Sequence, residues 1–154
     1  METYNPDKAA KVWQRVQAGS ANPAMPDVAS LLGLIANEWA DAATYLQLSR
    51  KLQGKDAAML RRLFDEEQAH AACLKGIYTL LTGERPVIPS PKAPNEPVEA
   101  TLRRCYGREM RCLAEYEQRS ASREYGPVFS QLASQEWEHC KIVLQLLGNL
   151  KNAP

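Results

Sequence analysis

The chain has 154 residues, with 19 Lys and Arg against 18 Asp and Glu, so its net charge is +1. This length suits one domain with a sizeable core, and so balanced a charge argues against a general attraction to nucleic acid or to an anionic membrane. Because the sequence has no run of about eighteen apolar residues and its N-terminal stretch is polar, it predicts a cytoplasmic protein without signal peptide or membrane span.

The first 26 residues, 1–26, predict a short helix and a linker that precede the main domain. Pro6 occupies the first helical position after an Asn5 cap, and apolar residues recur at helical spacing over residues 6–17. A stretch with glycine and two prolines, residues 19–26, then forms the linker. We expect the short helix to pack against the main domain or against a partner subunit.

Two long helices joined by a tight break come next. Apolar residues recur at helical spacing from the cap residue Asp27 to about residue 53, and again from Asp56 to about residue 82. Only Gly54 and Lys55 separate the two stretches. So short a connection predicts an antiparallel helical hairpin.

The segment 83–97 contains five prolines and has no periodicity, which predicts an extended linker. At about 3.1 Å per residue it spans roughly 45 Å, whereas a helix of about 26 residues measures about 39 Å. The linker can therefore run the full length of a bundle, which favours a long crossover between the second and third helices.

Two further helical stretches follow, over about residues 96–122 and about residues 127–150, with a Gly-Pro break between them. No alternating β-branched run bounded by turns occurs, so no strand is predicted. The predicted fold is all-α: an antiparallel four-helix bundle over residues 27–150 with the long crossover, preceded by the short N-terminal helix.

The only two histidines of the chain occur in the same local pattern. Glu67 precedes His70 by three residues, and Glu136 precedes His139 by three. Residues three apart share one face of a helix, so each pair can offer an oxygen and an imidazole nitrogen to one metal ion. All four residues fall on the apolar stripes of the second and fourth predicted helices.

A single glutamate lies on the apolar stripe of the first helix and of the third, each seven residues before a tyrosine. Glu38 precedes Tyr45, and Glu109 precedes Tyr116. The two halves of the chain thus repeat one pattern, a lone glutamate followed by a Glu-x-x-His pair. Each tyrosine is either a plain core residue or a hydrogen-bond donor to a ligand.

Four carboxylates and two imidazoles therefore fall on stripes that are otherwise apolar, and no lysine or arginine accompanies them there. Burying unpaired carboxylates is very costly, whereas two divalent metal ions would balance four negative charges. Carboxylate and imidazole ligands together suit iron or manganese better than zinc or calcium.

At these residues the chain resembles the ferritin-like di-iron carboxylate proteins, and within them the rubrerythrins, over about residues 27–150. The resemblance implies a ferritin-like bundle that holds two iron ions, with manganese as the alternative. It implies that Glu67 and Glu136 bridge the two ions. It implies that the terminal ligands are Glu38, His70, Glu109 and His139.

Two positions depart from the rubrerythrin pattern. That family has a further glutamate three residues after its third-helix ligand, where this chain has Cys112, and the repeat-related position on the first helix is Asp41. Cys112 and Asp41 are therefore the candidates to replace the glutamate with which rubrerythrins change ligation. The rubredoxin domain of full-length rubrerythrins is also missing, which implies a separate electron-donor protein.

The resemblance implies a homodimeric oxidoreductase that reduces peroxide or handles dioxygen. The alternatives are an iron-oxidising storage protein of the ferritin type, a di-iron hydroxylase of an organic substrate, and a metal-free helical interaction module. The four cysteines form no C-x-x-C pair, which favours buried free thiols over a zinc ribbon or a rubredoxin-type iron site.

Overall fold

The computed structural model describes residues 27–151, and four α-helices make up most of this part of the chain. They are α1 (Val28–Lys51), α2 (Gly54–Thr82), α3 (Val98–Arg119) and α4 (Gly126–Lys151). No strand occurs within the described range, so the prediction of an all-helical four-helix bundle is confirmed. The helix predicted over residues 6–17 and the linker 19–26 lie outside the described residues. None of the four helices combines the length and the apolar character needed to span a bilayer.

The helix ends follow the local sequence signals. The side chain of Asp27 accepts a hydrogen bond from the N–H of Ser30 at 2.6 Å and so caps α1. Gly83 ends α2 in the left-handed conformation (φ 74°), and its N–H donates to the Thr79 carbonyl at 2.8 Å. α2 begins at Gly54, two residues earlier than predicted, because this glycine adopts a positive φ of 60° as the chain turns into the helix.

Apolar side chains form two clusters in the bundle, on either side of a polar layer. What we call the upper cluster contains, among others, Leu31, Ile35, Leu74, Cys112, Tyr116, Phe129 and Leu132. What we call the lower cluster contains, among others, Tyr45, Leu60, Leu63, Leu102, Val143 and Leu146. Every helix contributes to both clusters, and in every helix the predicted ligand positions fall between the two.

The helices pass through the two clusters in different orders. α1 and α4 begin in the upper cluster and end in the lower one, whereas α2 and α3 begin in the lower cluster and end in the upper. Side-chain hydrogen bonds join their ends: Lys51 Nζ to the Glu96 carbonyl at 3.2 Å, Arg119 to the Ser30 hydroxyl, and Asn149 Nδ2 to Asp56 Oδ1 at 2.8 Å. α1 packs chiefly against α2, and α3 chiefly against α4, so each half of the repeat is one helical hairpin.

Candidate metal centre

Six buried polar side chains lie in one layer, between the upper and lower clusters. They are Glu38 on α1, Glu67 and His70 on α2, Glu109 on α3, and Glu136 and His139 on α4. None of them is more than 2% exposed. These are the six residues that the sequence analysis names as ligands, and the fold brings all six together.

Glu67 and Glu136 each lie between the two imidazole rings. Glu67 places one carboxylate oxygen 3.2 Å from Nδ1 of His70 and the other 2.9 Å from Nδ1 of His139. Glu136 places its two oxygens 3.0 Å from Nδ1 of His70 and 3.6 Å from Nδ1 of His139. Each of these two glutamates, which we call the central glutamates, therefore reaches from one histidine to the other.

Glu38 and Glu109, which we call the outer glutamates, each approach one histidine. Oε2 of Glu38 lies 3.3 Å from Nδ1 of His70, and Oε2 of Glu109 lies 3.5 Å from Nδ1 of His139. The two imidazole rings stack, with their centroids 5.2 Å apart and their planes inclined by 18°. The layer thus has two similar halves, which share the central glutamates.

Several buried atoms of this layer lie close together and yet have no hydrogen-bond partner. Both carboxylate oxygens of Glu67, both of Glu136 and Nδ1 of His139 are in this position. The contacts of 2.9 Å and 3.0 Å between these groups are therefore close approaches that do not have the geometry of hydrogen bonds. Metal ligands are arranged in this way, since their lone pairs point at the ion and not at one another.

The outer nitrogen of each imidazole is held by a residue that the sequence analysis did not identify. Nε2 of His139 lies 2.9 Å from Oε2 of Glu66, and Nε2 of His70 lies 2.9 Å from Oε1 of Gln135. A carboxylate and an amide oxygen accept hydrogen bonds, so Nε2 carries the hydrogen in both rings. In the neutral imidazole, Nδ1 then faces the carboxylates and offers its lone pair.

The repeat contains a signal that would have identified both residues. Glu66 immediately precedes Glu67, and Gln135 immediately precedes Glu136. In each half, the residue before the central glutamate crosses to the histidine of the opposite half. Helix position alone suggests that Glu66 faces solvent, but its side chain is only 28% exposed because it extends towards His139.

Two buried tyrosines bond the outer glutamates. Tyr45 donates to Oε1 of Glu109, and Tyr116 donates to Oε1 of Glu38. Burial raises the pKa of both phenols well above the usual value, and the adjacent carboxylates raise it further, so both tyrosines remain protonated donors. Each tyrosine is thus a core residue that also bonds the outer glutamate of the opposite hairpin.

The four carboxyl groups differ in how readily they ionise. Desolvation, and then the charges of Glu109 and Glu38, raise the pKa of Glu67 well above its usual value. Desolvation and the contact with Glu136 raise the pKa of Glu109 to about 7. Desolvation also acts upward on Glu38 and Glu136, but their close polar contacts, with Glu67 and His70 at Glu38 and with Glu109 and His139 at Glu136, outweigh it and lower the pKa of both groups.

Both histidines bind protons tightly in the metal-free protein. Desolvation lowers the pKa of His70, but three carboxylates, Glu136 first among them, outweigh it and raise this pKa to about 12. Desolvation also lowers the pKa of His139, but the neighbouring carboxylates, Glu109 first among them, outweigh it and raise this pKa. Protons on the two imidazoles and on Glu67 therefore offset three of the four carboxylate charges when no metal is bound, and a proton on Glu109 below about pH 7 offsets the fourth.

Asp41 and Cys112, the two candidates for an additional ligand, are buried but make no hydrogen bond to the six-residue layer within residues 27–151. Oδ1 of Asp41 lies 2.9 Å from Nε of Arg108, an ion pair that the analysis of the apolar stripes did not anticipate. Burial, and then the nearby Glu38 and Glu136, raise the pKa of the Cys112 thiol, so this side chain is a neutral thiol.

All four cysteines are free, as expected. Cys105, Cys112 and Cys140 are buried, but Cys73 is exposed, so the expectation of burial is wrong at this position. Cys73 follows His70 by three residues on α2 but lies beside the buried stripe, which continues through Leu74.

The ligand atoms of Glu67, His70, Glu136 and His139 all lie within 4.8 Å of one another, and this buried group could hold a metal ion. The outer glutamates lie at the two ends of the group, one beside each histidine. No family model matches the chain, and neither a curated protein nor a solved structure matches it. Its function is therefore inferred from the site itself.

Proposed function

We propose that the polar layer binds two ions of iron or manganese, with Glu67 and Glu136 bridging them. One observation carries this proposal: each central glutamate reaches both imidazoles, whereas each outer glutamate reaches one. His70 and Glu38 would then be the terminal ligands of one ion. His139 and Glu109 would be those of the other.

Charge supports two divalent ions in this layer. Four carboxylates carry four negative charges when ionised, and two divalent ions supply four positive charges. The ions would displace the protons that neutralise the metal-free layer, and they would satisfy the buried oxygens of Glu67 and Glu136 that have no hydrogen-bond partner. Carboxylate and imidazole ligands in this ratio favour iron or manganese.

We also propose that the bundle has ferritin-like connectivity, with residues 83–97 crossing its full length. In support, α2 and α3 pass the two apolar clusters in the same order, so the end of α2 and the start of α3 belong to opposite ends of the bundle. The hydrogen bond between Lys51 and Glu96 agrees, since it brings the start of α3 to the end of α1. A helical hairpin between α2 and α3 would require the opposite order.

The function that this site supports best is that of a rubrerythrin-like oxidoreductase, which reduces peroxide or handles dioxygen with electrons from a separate donor protein. When bound, two redox-active ions supply one electron each to a single oxidant. The chain's own part is to exclude water with the two apolar clusters and to fix the ligands. Tyr45 and Tyr116 orient the outer glutamates, while Glu66 and Gln135 orient the imidazoles.

The test is the oxidation of reduced, iron-loaded protein by hydrogen peroxide and by dioxygen in stopped-flow mixing. We expect peroxide to react faster, because it takes up two electrons in one step. Glu136→Ala removes a bridge and should abolish this reaction together with most of the bound metal. Glu138→Ala is the matched control, since Glu138 lies on the same helix with a side chain 54% exposed, and it should change neither.

Ferritin-type storage is separated from this function by the same experiment. A storage protein would prefer dioxygen and would accumulate ferric iron well beyond two ions per chain. It would also assemble into a large shell, whereas we expect a homodimer for the oxidoreductase. Preference for dioxygen together with such accumulation would overturn the proposed function in favour of storage.

A further inference from the structure

A cavity of about 320 Å³ opens between α1 and α3, next to the polar layer. Its lining includes Gly33 and Asn37 from α1, and Arg108, Arg111, Cys112 and Arg119 from α3. Three guanidinium groups and the carboxylate of Glu115 line it, and Asp41 lies 2.9 Å from Nε of one of these groups, that of Arg108. Asp41 pairs with Arg108 and Glu115 with Arg119, so Arg111 is the one cavity arginine that has no ion pair within the described residues.

The three arginines differ in how much of their hydrogen-bonding capacity is used. Arg108 is held by Asp41, 2.9 Å from its Nε, and by the carbonyl of Asn37, 3.3 Å from its Nη2. Arg111 lies one turn further along α3 and makes no hydrogen bond or ion pair with any residue of the described range. Its five N–H donors are available to a ligand.

Arg119 contains a buried donor that lacks a partner. Its Nη2 donates to the hydroxyl of Ser30 and pairs with Glu115 at 3.1 Å, which fixes the guanidinium plane. Its Nε is buried and has no hydrogen-bond partner among residues 27–151. Buried N–H groups are rarely left unpaired, so the guanidinium of Arg119 has hydrogen-bonding capacity that the described residues leave unused.

We propose that this cavity binds a small oxyanion, a carboxylate or a phosphate group, between Arg111 and Arg119. Guanidinium groups present paired N–H donors that match the oxygens of both anions, and such charge-assisted bonds are strong when partly shielded from water. Asp41 and Asn37 hold Arg108 at the edge of the site, where its charge adds to the attraction without a direct bond.

The floor of the cavity places the anion next to the polar layer. Cys112 lines the cavity and follows Glu109 by three residues, so one turn of α3 separates it from an outer glutamate. The small thiol occupies this wall, where a glutamate would fill more of the space. The anion site does not depend on the proposed function, because the arginines are positioned without any metal ion.

The experiment is isothermal titration of the full chain, purified without metal, with inorganic phosphate in one arm and benzoate in the other. We expect saturable binding of one anion per chain in at least one arm. Phosphate alone would assign a phosphate group, benzoate alone a carboxylate, and both together the shared oxyanion chemistry. The absence of saturable binding in both arms would overturn the proposal.

Two pairs of variants locate the site. Arg111→Gln should weaken binding by about tenfold or more, because charge-assisted bonds are lost. Arg103→Gln, which removes the same charge from an exposed position of α3, should leave binding within about twofold. Equal weakening by both variants would contradict the proposal, since it would indicate only a general effect of net charge.

The second pair tests the space inside the cavity without changing any charge. A Cβ added at Gly33 meets no atom within 4 Å, so Gly33→Leu should fold and extend into the space that the anion needs. Gly76→Leu is the matched control, at an equally open helical glycine of α2. Loss of binding in Gly33→Leu alone supports the site, and unchanged binding there would contradict it. Thermal melting of each variant checks that it is folded.

Discussion

The phenol of Tyr45 on α1 donates a hydrogen bond to the carboxylate of Glu109 on α3. Its repeat-related partner, Tyr116 on α3, donates to Glu38 on α1. Each hairpin therefore fixes the outer glutamate of the other hairpin. In the sequence, by contrast, each tyrosine lies seven residues after the outer glutamate of its own helix. The two halves of the layer depend on each other for their geometry.

The first prediction concerns the hydrogen bond from Tyr45 to Glu109. Tyr45→Phe should lower the free energy of unfolding of the metal-free protein by about 1–3 kcal/mol, because it leaves a buried carboxylate oxygen of Glu109 without its donor. Both metal ions should still bind, since the phenol touches a ligand and not the ion. Chemical denaturation and metal analysis measure the two effects.

Tyr106→Phe is the control for this prediction. Tyr106 lies on the same helix as Glu109 but makes no hydrogen bond within the described residues, so its change should be within about 0.5 kcal/mol. Equal destabilisation by the two variants, or loss of metal in Tyr45→Phe, would contradict the assigned role.

The second prediction concerns the two residues behind the histidines. Nε2 of His139 contacts the carboxylate of Glu66, whereas Nε2 of His70 contacts the amide of Gln135. The two metal positions should therefore differ in affinity, because a charged acceptor makes its imidazole more basic. Glu66→Gln should weaken the tighter of two binding steps by about 10- to 100-fold and bring the steps closer together. Titration against a coloured chelator measures both steps.

Two further variants sharpen this test. Gln135→Glu should strengthen the weaker step, because it gives His70 the same kind of acceptor as His139. Glu138→Gln removes an exposed charge from α4 and should change neither step. Two equal binding steps in the unaltered protein would contradict the predicted asymmetry.

The third prediction is the pH dependence of stability without metal. Glu109, with a pKa of about 7 in the folded protein against an ordinary 4.5, binds more protons folded than unfolded between these values. His70, with a pKa of about 12 against 6.5, does so above pH 6.5. Both groups therefore stabilise the folded chain at low pH, and this stabilisation is lost as the pH rises.

The metal-free protein should accordingly melt at a lower temperature at about pH 8 than at about pH 6. Each 1 kcal/mol lost corresponds to about 2–4 °C in a chain of this size. Metal-loaded protein should show a smaller difference, since the ions replace the protons. Calorimetry of both forms checks this, and identical melting across the range would refute a buried ligand cluster.

The fourth prediction concerns Cys112. Its thiol is neutral and makes no hydrogen bond to the layer within residues 27–151, so Cys112→Ser should leave the rate of peroxide oxidation within about twofold. Cys73→Ser, at the exposed cysteine, serves as the control. A rate that falls in Cys112→Ser alone would show that this thiol takes part in the reaction.

The sequence was sufficient to predict the four helices and the six residues of the layer. Hydrophobic periodicity marks the buried stripe of each helix, and carboxylates or histidines on such a stripe must share partners. Glu38 and Glu109 could be found in this way because each interrupts an apolar stripe. Boundaries shifted by two or three residues: α2 begins at Gly54, which adopts a positive φ, and α3 spans Val98–Arg119 where about residues 96–122 were predicted.

The contacts between helices could not be predicted from spacing. Periodicity gives the face of one helix but not the rotation of its neighbour, so the bonds from Tyr45 to Glu109 and from Glu66 to His139 required the fold. The ion pair of Arg108 with Asp41 could not be predicted either, for a related reason. A long side chain beside the stripe can reach a buried group on the next helix.

The number of metal ions per chain tests the central claim most directly. The full chain would be loaded without oxygen with ferrous iron, and in parallel with manganese, then desalted and analysed for metal and protein. The two central glutamates, each reaching both histidines, predict close to two ions per chain with at least one of these metals. One ion per chain or fewer with both metals would contradict the dinuclear site.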